Sequence, residues 1–194
     1  MVAAYHLIWT AYGWWLPNDP RGSSSHEIRV EKIMPLGELH HGRKFVQPLP
    51  SEIRQFYEQA RDELQHPLLT FSTDDITMIG SCFAQVIGER GYTCYACAIL
   101  PDHVHLLIRR HRDKAEVMIE SLQEASRLGL IESKRRAPTH PVWGGKGWKV
   151  FLNTRMDMER VVRYIQENPV KAGYPEQHWH FVKQYDGWMP RYQG

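Results

Sequence analysis

The sequence predicts an α+β domain of ferredoxin-like βαββαβ plan, built on an antiparallel sheet with a long insertion after its first strand. Three observations predict it. An alternating first strand is followed by helix-period stretches; two β-rich runs are joined by a tight turn; and a helix, a short strand and a final amphipathic helix come after them. At 194 residues the chain suits a single domain over 1–194 and can bury a sizeable core.

Each element has its own local reason. Ala4–Thr10 alternates and is rich in β-formers, so it reads as a strand. At about 11–50 the chain is punctuated by Pro17-Asn18-Asp19-Pro20, Gly22, Pro35, Gly37, Gly42, Pro48 and Pro50, which predicts an irregular insertion. Ser51 is placed to cap a helix carrying Ile53, Phe56, Tyr57, Ala60 and Leu64, with His66-Pro67 ending it. Ser72 and Asp75 form a capping-box pattern before Ile76, Ile79, Phe83, Val86 and Ile87, and Gly91 stops that helix. Residues 92–100 and 103–110 read as strands joined at Pro101-Asp102. A helix at about 114–129 aligns Met118, Leu122, Ala125 and Leu128; Trp148–Leu152 alternates as a short strand. Thr154 and Asp157 open a last helix, which Pro169 is expected to end. The segment after Ala172, with Trp179, Phe181, Tyr185 and Trp188, is expected to wrap back onto the body. Helices would cover one face of the sheet and leave the other available for a ligand.

Composition excludes several classes. No apolar run approaches the ~20 residues that span a bilayer, and the N-terminus lacks the pattern of a signal peptide. Three cysteines are too few for a disulfide framework, so a cytoplasmic, reducing setting is expected. Cys94 and Cys97 have zinc-site spacing but lie in a strand without a second pair, which favours burial. Net charge is only +2, yet residues 1–100 carry 8 basic against 11 acidic side chains and residues 101–194 carry 16 against 11. A polyanion would be drawn to the second half; solvated helix faces would give the same count. No P-loop or dinucleotide-binding glycine pattern occurs.

The chemistry centres on His103-Val104-His105. Alternate strand residues point the same way, so both imidazoles share a face and can share a divalent metal, while Val104 turns to the other side. The pattern is weak alone, and a second copy occurs at His178-Trp179-His180 in an irregular tail. On the last helix, Met158, Val161, Val162 and Ile165 form an apolar stripe. Tyr164 lies about 110° from its centre, on a flank rather than in the core-facing row. Asn168 stacks one turn later on that flank, where a phenol and an amide could address one metal-bound phosphate; an interfacial tyrosine with its hydroxyl in water is the alternative.

Together these segments resemble a family. Leu100-Pro-Asp-His-Val-His-Leu-Leu-Ile108 resembles the HUH strand of single-tyrosine transposases, the REP-associated tyrosine transposases among them. Tyr164-Ile-Gln-Glu-Asn-Pro-Val-Lys-Ala-Gly173 resembles that group's tyrosine helix and following turn. Tyr5-His-Leu-Ile-Trp-Thr10 and Tyr12-Gly-Trp-Trp-Leu-Pro-Asn-Asp-Pro-Arg-Gly22 resemble a branch with an insertion after the first strand. The resemblance implies that His103 and His105 bind Mg2+ or Mn2+, that Asn168 is a third ligand, and that Tyr164 attacks a scissile phosphate. It implies a 5′-phosphotyrosine intermediate, single-stranded or hairpin DNA as partner, a monomer or homodimer, and a place at the nucleoid. Arg109, Lys149, Arg155 or Arg163 could then hold phosphates, and Trp143 and Trp148 could stack on splayed bases or simply pack. One departure stands out: the family turn often reads Pro-Asn where this chain has Pro101-Asp102. A non-catalytic module holding structured DNA or RNA, and a phosphodiesterase acting through water, are the competing readings. A histidine-triad hydrolase fails on Leu107, where a third histidine would stand.

Overall fold

The computed structural model describes residues 1–23, 25–28 and 31–190; Ser24, Arg29 and Val30, inside the predicted insertion, lie outside the described residues. In chain order the elements are β1 (Ala4–Thr10), α1 (Pro50–Glu63), α2 (Thr73–Arg90), β2 (Cys94–Ile99), β3 (His103–Arg109), α3 (Ala115–Glu132), β4 (Trp148–Leu152) and α4 (Arg155–Lys171). They divide between two compact units, Met1–Ala11 with Thr70–Gly194 and, separately, Tyr12–Leu69.

The larger unit holds one four-stranded sheet in the order β2-β3-β1-β4, antiparallel throughout. That order and the intervening α2 and α3 are the ferredoxin-like plan predicted above. Tyr5, Leu7 and Trp9 share one face with Val104, Leu106 and Ile108. On that side Trp9 meets Phe83 of α2 edge-on with ring centroids 5.7 Å apart. The other face carries Ala4, His6, Ile8 and Thr10, opposite Arg109, Leu107, His105 and His103 respectively.

This second face is not left bare. α4 lies over part of it: Met158, Val161 and Ile165 join Ala4, Ala96, Ala98, Leu107 and Leu152 in one buried cluster. Burial of Met158, Val161 and Ile165 contributes about 1.5–3 kcal/mol each, which fixes the helix and hence the orientation of its flank. Thr154 starts α4, its hydroxyl accepting from the Asp157 N–H at 3.1 Å. Pro169 does not end it. The proline sits in the last turn, where it forfeits only the single N–H bond to the Ile165 carbonyl, and α4 runs on to Lys171 before Gly173 turns the chain at φ +82°.

α2 carries the predicted capping box: Ser72 accepts from the Asp75 N–H at 3.2 Å, and Asp75 accepts from the Ser72 N–H at 3.0 Å. Gly91 closes it in the left-handed region at φ +70°. The tail does wrap back. Gln177 exchanges two hydrogen bonds with the Ile99 backbone, at 2.9 and 2.7 Å, and the Lys183 N–H donates to the Cys94 carbonyl at 2.8 Å. The outer edge of β2 is thereby covered rather than left as a template for association. Trp179 fills a notch made by Gly80, where a Cβ would come within 2.1 Å of the ring.

The smaller unit is mostly irregular, with a 3-10 turn at Glu31–Leu36 and the helix α1. Its ends are tied by the Leu69 N–H donating to the Tyr12 carbonyl at 3.1 Å. Asp19 anchors the interior, accepting twice from the Arg21 side chain, at 2.9 and 2.7 Å, and once from the Tyr57 hydroxyl. Burial pushes the Tyr57 phenol well above its usual value, which keeps it a donor. Ser51 does not cap α1. Pro50 occupies the first turn, and Glu52 accepts from the Leu49 N–H at 2.6 Å instead. Among the described residues no helix is long and apolar enough to cross a membrane.

Candidate active site

Four rings meet where α4 crosses the second face of the sheet. His103 and His105 lie edge to face with centroids 4.9 Å apart. The Tyr164 ring stands edge-on to His105 at 5.4 Å and to His6 at 6.0 Å. His6 is on β1, diagonal to His105 across the β1–β3 pair, and its Nε2 lies 3.0 Å from His105 Nδ1. The cluster follows from two periodicities. Strand alternation places the imidazoles on one face, and the apolar stripe of α4 turns the Tyr164 flank towards them.

Exposure grades across the site. His105 is 5% exposed and His6 7%, whereas the His103 side chain is 16% exposed and Tyr164 46%. The element that covers the inner imidazoles is the tyrosine helix itself, so the cluster opens to solvent on its His103–Tyr164 side. Burial holds the His6 imidazole down at about 4. It pushes His105 well below the usual histidine value, and the neighbouring His103 and His6 add to the effect. Both inner rings are therefore neutral near pH 7, the form whose nitrogen lone pair can bind a cation.

Each ring of the His103–His105 pair is also gripped at Nδ1. Asp102 Oδ1 lies 2.7 Å from His103 Nδ1, and His6 grips His105. A cation facing the pair would find imidazole nitrogens, borderline donors that Mn2+ or a hydrated Mg2+ would accept only alongside oxygen ligands. Among the described residues no three His, Cys, Asp or Glu side chains form a ready-made cage. Oxygen donors from water, substrate or an amide would have to complete the shell. Asn168 lies one turn beyond Tyr164, and its buried Nδ2 has no hydrogen-bond partner. No described contact joins it to either imidazole.

The remaining predicted residues separate. Trp148 stands in the same cross-strand row as Ile8 and His105, half-buried on the imidazole face. Arg163 and Arg155 are exposed on α4, and Arg155 pairs with Glu159 at 2.8 Å. Arg109 is on the imidazole face, but its guanidinium stacks on Trp188 at 3.3 Å. Lys149 points to the opposite face, beside Leu7, and pairs with Glu116. Trp143 is buried against Trp9 and Phe71, and its indole N–H donates to the Gln123 carbonyl at 2.9 Å. Cys94 and Cys97 are buried free thiols, Cys94 pushed up to about 12 by burial. His6 was not picked out from sequence. The parity of β1 shows only that His6 shares a face with Ala4, Ile8 and Thr10; the β1–β3 register is what brings that face to His105.

Fold and site together define an antiparallel ferredoxin-like protein whose sheet carries a His-x-His pair beneath a tyrosine-bearing helix. Within that class the chain resembles the REP-associated tyrosine transposases. A curated relative from Haemophilus influenzae, provisionally given that name, is 26% identical over 122 residues, which is 58% of this chain and 69% of the relative. No family model matches the chain. Among solved structures, a REP-associated tyrosine transposase bound to a REP hairpin aligns at a TM-score of 0.44 with 20% identity. That alignment covers 53% of this chain, which spans only 59% of the solved one. A protein provisionally called a transposase, from Deinococcus radiodurans R1, aligns at 0.40 with 12% identity, over 86% and 91% of the two chains. Both scores are low, and the fold stands on strand order and register.

Proposed function

We propose that this chain cuts and rejoins single-stranded DNA beside a hairpin through a covalent tyrosine link. The observation that carries the reading is the placement of the Tyr164 ring 5.4 Å from His105, at the solvent-open side of the imidazole cluster. The Tyr164 oxygen would attack the scissile phosphorus and lose its proton to solvent. The bond to the 3′ oxygen breaks, and that oxygen leaves as a hydroxyl. The products are a 5′-phosphotyrosine and a free 3′ end. The exchange of one phosphate ester for another conserves bond energy, so the reverse attack rejoins strands without a nucleotide cofactor.

His103 and His105 would hold a divalent ion, Mg2+ or Mn2+, with Asn168 as a third protein ligand. Once bound, the ion would offset phosphate charge and stabilise the leaving oxygen. The Tyr164 ring lies against the His6 and His105 rings of its own chain, which supports a nucleophile supplied in cis. Trp148 offers a stacking surface on the open part of the face, and Arg163 a phosphate contact. The test is a hairpin-flanked single-stranded oligonucleotide incubated with the protein and Mn2+, then run on a denaturing gel. The wild type should give a protein–DNA adduct and Tyr164→Phe none. Cutting by Tyr164→Phe without an adduct would point to attack by water, and tight binding with no cutting would favour a binding module.

A further inference from the structure

Beside the two imidazoles that would face the cation stand two further polar side chains that the proposed chemistry does not use, Asp102 and His6. Strand geometry brings His103 and His105 to one face but leaves each ring free to rotate and to carry its proton on either nitrogen. A ring with the wrong tautomer would present N–H to a cation and repel it. Something must choose.

We propose that Asp102 and His6 are positioning residues that fix the proton of His103 and His105 on Nδ1 and turn both Nε2 lone pairs towards the cation. This rests on the functional reading above. Asp102 Oδ1 lies 2.7 Å from His103 Nδ1, and a carboxylate oxygen can only accept. The His103 Nδ1 must therefore carry the proton. His6 Nε2 lies 3.0 Å from His105 Nδ1. Two facing imidazole nitrogens bond only when one donates and the other accepts, so the pair has two possible arrangements. In the one that leaves His105 Nε2 bare, His105 donates and His6 accepts through Nε2. The two rings are then held alike, each by its Nδ1, one from a carboxylate on the hairpin turn and one from an imidazole on the neighbouring strand.

The two devices differ in a way that their surroundings explain. Asp102 sits on the turn, partly exposed, where a charged acceptor retains its water. His6 is 7% exposed beneath α4, where a carboxylate would be costly to desolvate and a neutral ring acceptor is not. The edge contact of Tyr164 on both inner rings, at 5.4 and 6.0 Å, limits their rotation further. Outer-shell partners of this kind orient a ligand and change its metal affinity by about 10–100-fold.

The test uses the whole chain, labelled with 15N-histidine, and reads tautomers by long-range 1H–15N correlation in the metal-free protein at neutral pH. His103 and His105 should both show a protonated Nδ1 and a bare Nε2. His6→Met removes the acceptor and should leave His105 in mixed tautomers with Mn2+ affinity about 10–100-fold weaker. His6→Gln, whose amide oxygen can accept, should restore much of both. Asp102→Ala should loosen His103 in the same manner and Asp102→Asn should rescue it. A wild-type His105 protonated at Nε2 would overturn the proposal, as would a folded His6→Met chain with unchanged tautomer and affinity. Should His6→Met fail to fold, the wild-type tautomers and the Asp102 pair still decide. Failure of the wild type to bind Mn2+ would sink the functional reading instead, while the metal-free tautomers would still report on the positioning.

Discussion

His6 is the most informative residue to perturb without any DNA present, because its burial has a sign and a size. In the folded chain it titrates at about 4, against 6.5 for an unhindered imidazole. Between those values the unfolded chain holds more protons than the folded one. The stability that neutral burial contributes is complete above the unfolded value and is lost as pH falls through the folded one. The full loss is about 3 kcal/mol, and between pH 7 and pH 5 the share from His6 alone is about 2 kcal/mol. Carboxylates titrate mostly below that interval, so the imidazoles dominate it. The assay is urea unfolding with a chelator present, followed by tryptophan fluorescence at pH 7 and pH 5, for the wild type and His6→Gln. The wild type should lose about 2 kcal/mol more than the variant over that interval. Equal losses in the two chains would refute the claim that His6 is held neutral beneath α4.

Other consequences follow from the same geometry. Chelation of divalent ions should abolish strand cutting, and added Mn2+ should restore it; activity that survives chelation would argue against a metal at His103 and His105. Trp143→Ala should destabilise the larger unit by about 3–5 kcal/mol in a thermal or urea melt, because the indole packs between Trp9 and Phe71. A loss within a few tenths would contradict that packing role. Arg163→Ala should lower the salt dependence of DNA binding by roughly one counterion, read from affinities across a salt series. Arg109→Ala should leave that slope unchanged, since its guanidinium is committed to Trp188.

The parts of the fold that were legible in the sequence are those with strong local signals. The capping box at Ser72 and Asp75, the glycine at Gly91 and the alternation in β1 and β4 each reflect short-range chemistry, and the structure shows them in place. Pro169 and Ser51 misled for the same reason. A proline breaks a helix by removing one N–H bond and crowding the carbonyl four residues back, but near the C-terminus only that one bond, to Ile165, is lost and the turn already formed carries on to Lys171. A serine caps only if no better partner precedes it, and Pro50 with Glu52 supplied one. The apolar stripe of α4 located the Tyr164 flank, because helical phase is read directly from spacing. What sequence did not yield was tertiary. That α4 would lie over the ligand face, that His6 would enter the cluster, and that Arg109 and Lys149 would be engaged by Trp188 and Glu116 all depend on strand order and cross-strand register. Spacing along one segment carries no record of these. Asp102 was visible as a departure in the turn, yet its contact with the next residue's ring depends on side-chain direction.

The central claim, two imidazoles of β3 around one cation within reach of a phenol, is tested most directly by pulsed electron paramagnetic resonance of the Mn2+-loaded chain. The account predicts nitrogen couplings from two directly bound imidazoles, reduced to one in His105→Ala or His103→Ala and unchanged in Tyr164→Phe. Mn2+ that shows no imidazole coupling, or couplings that persist when both histidines are replaced, would contradict it.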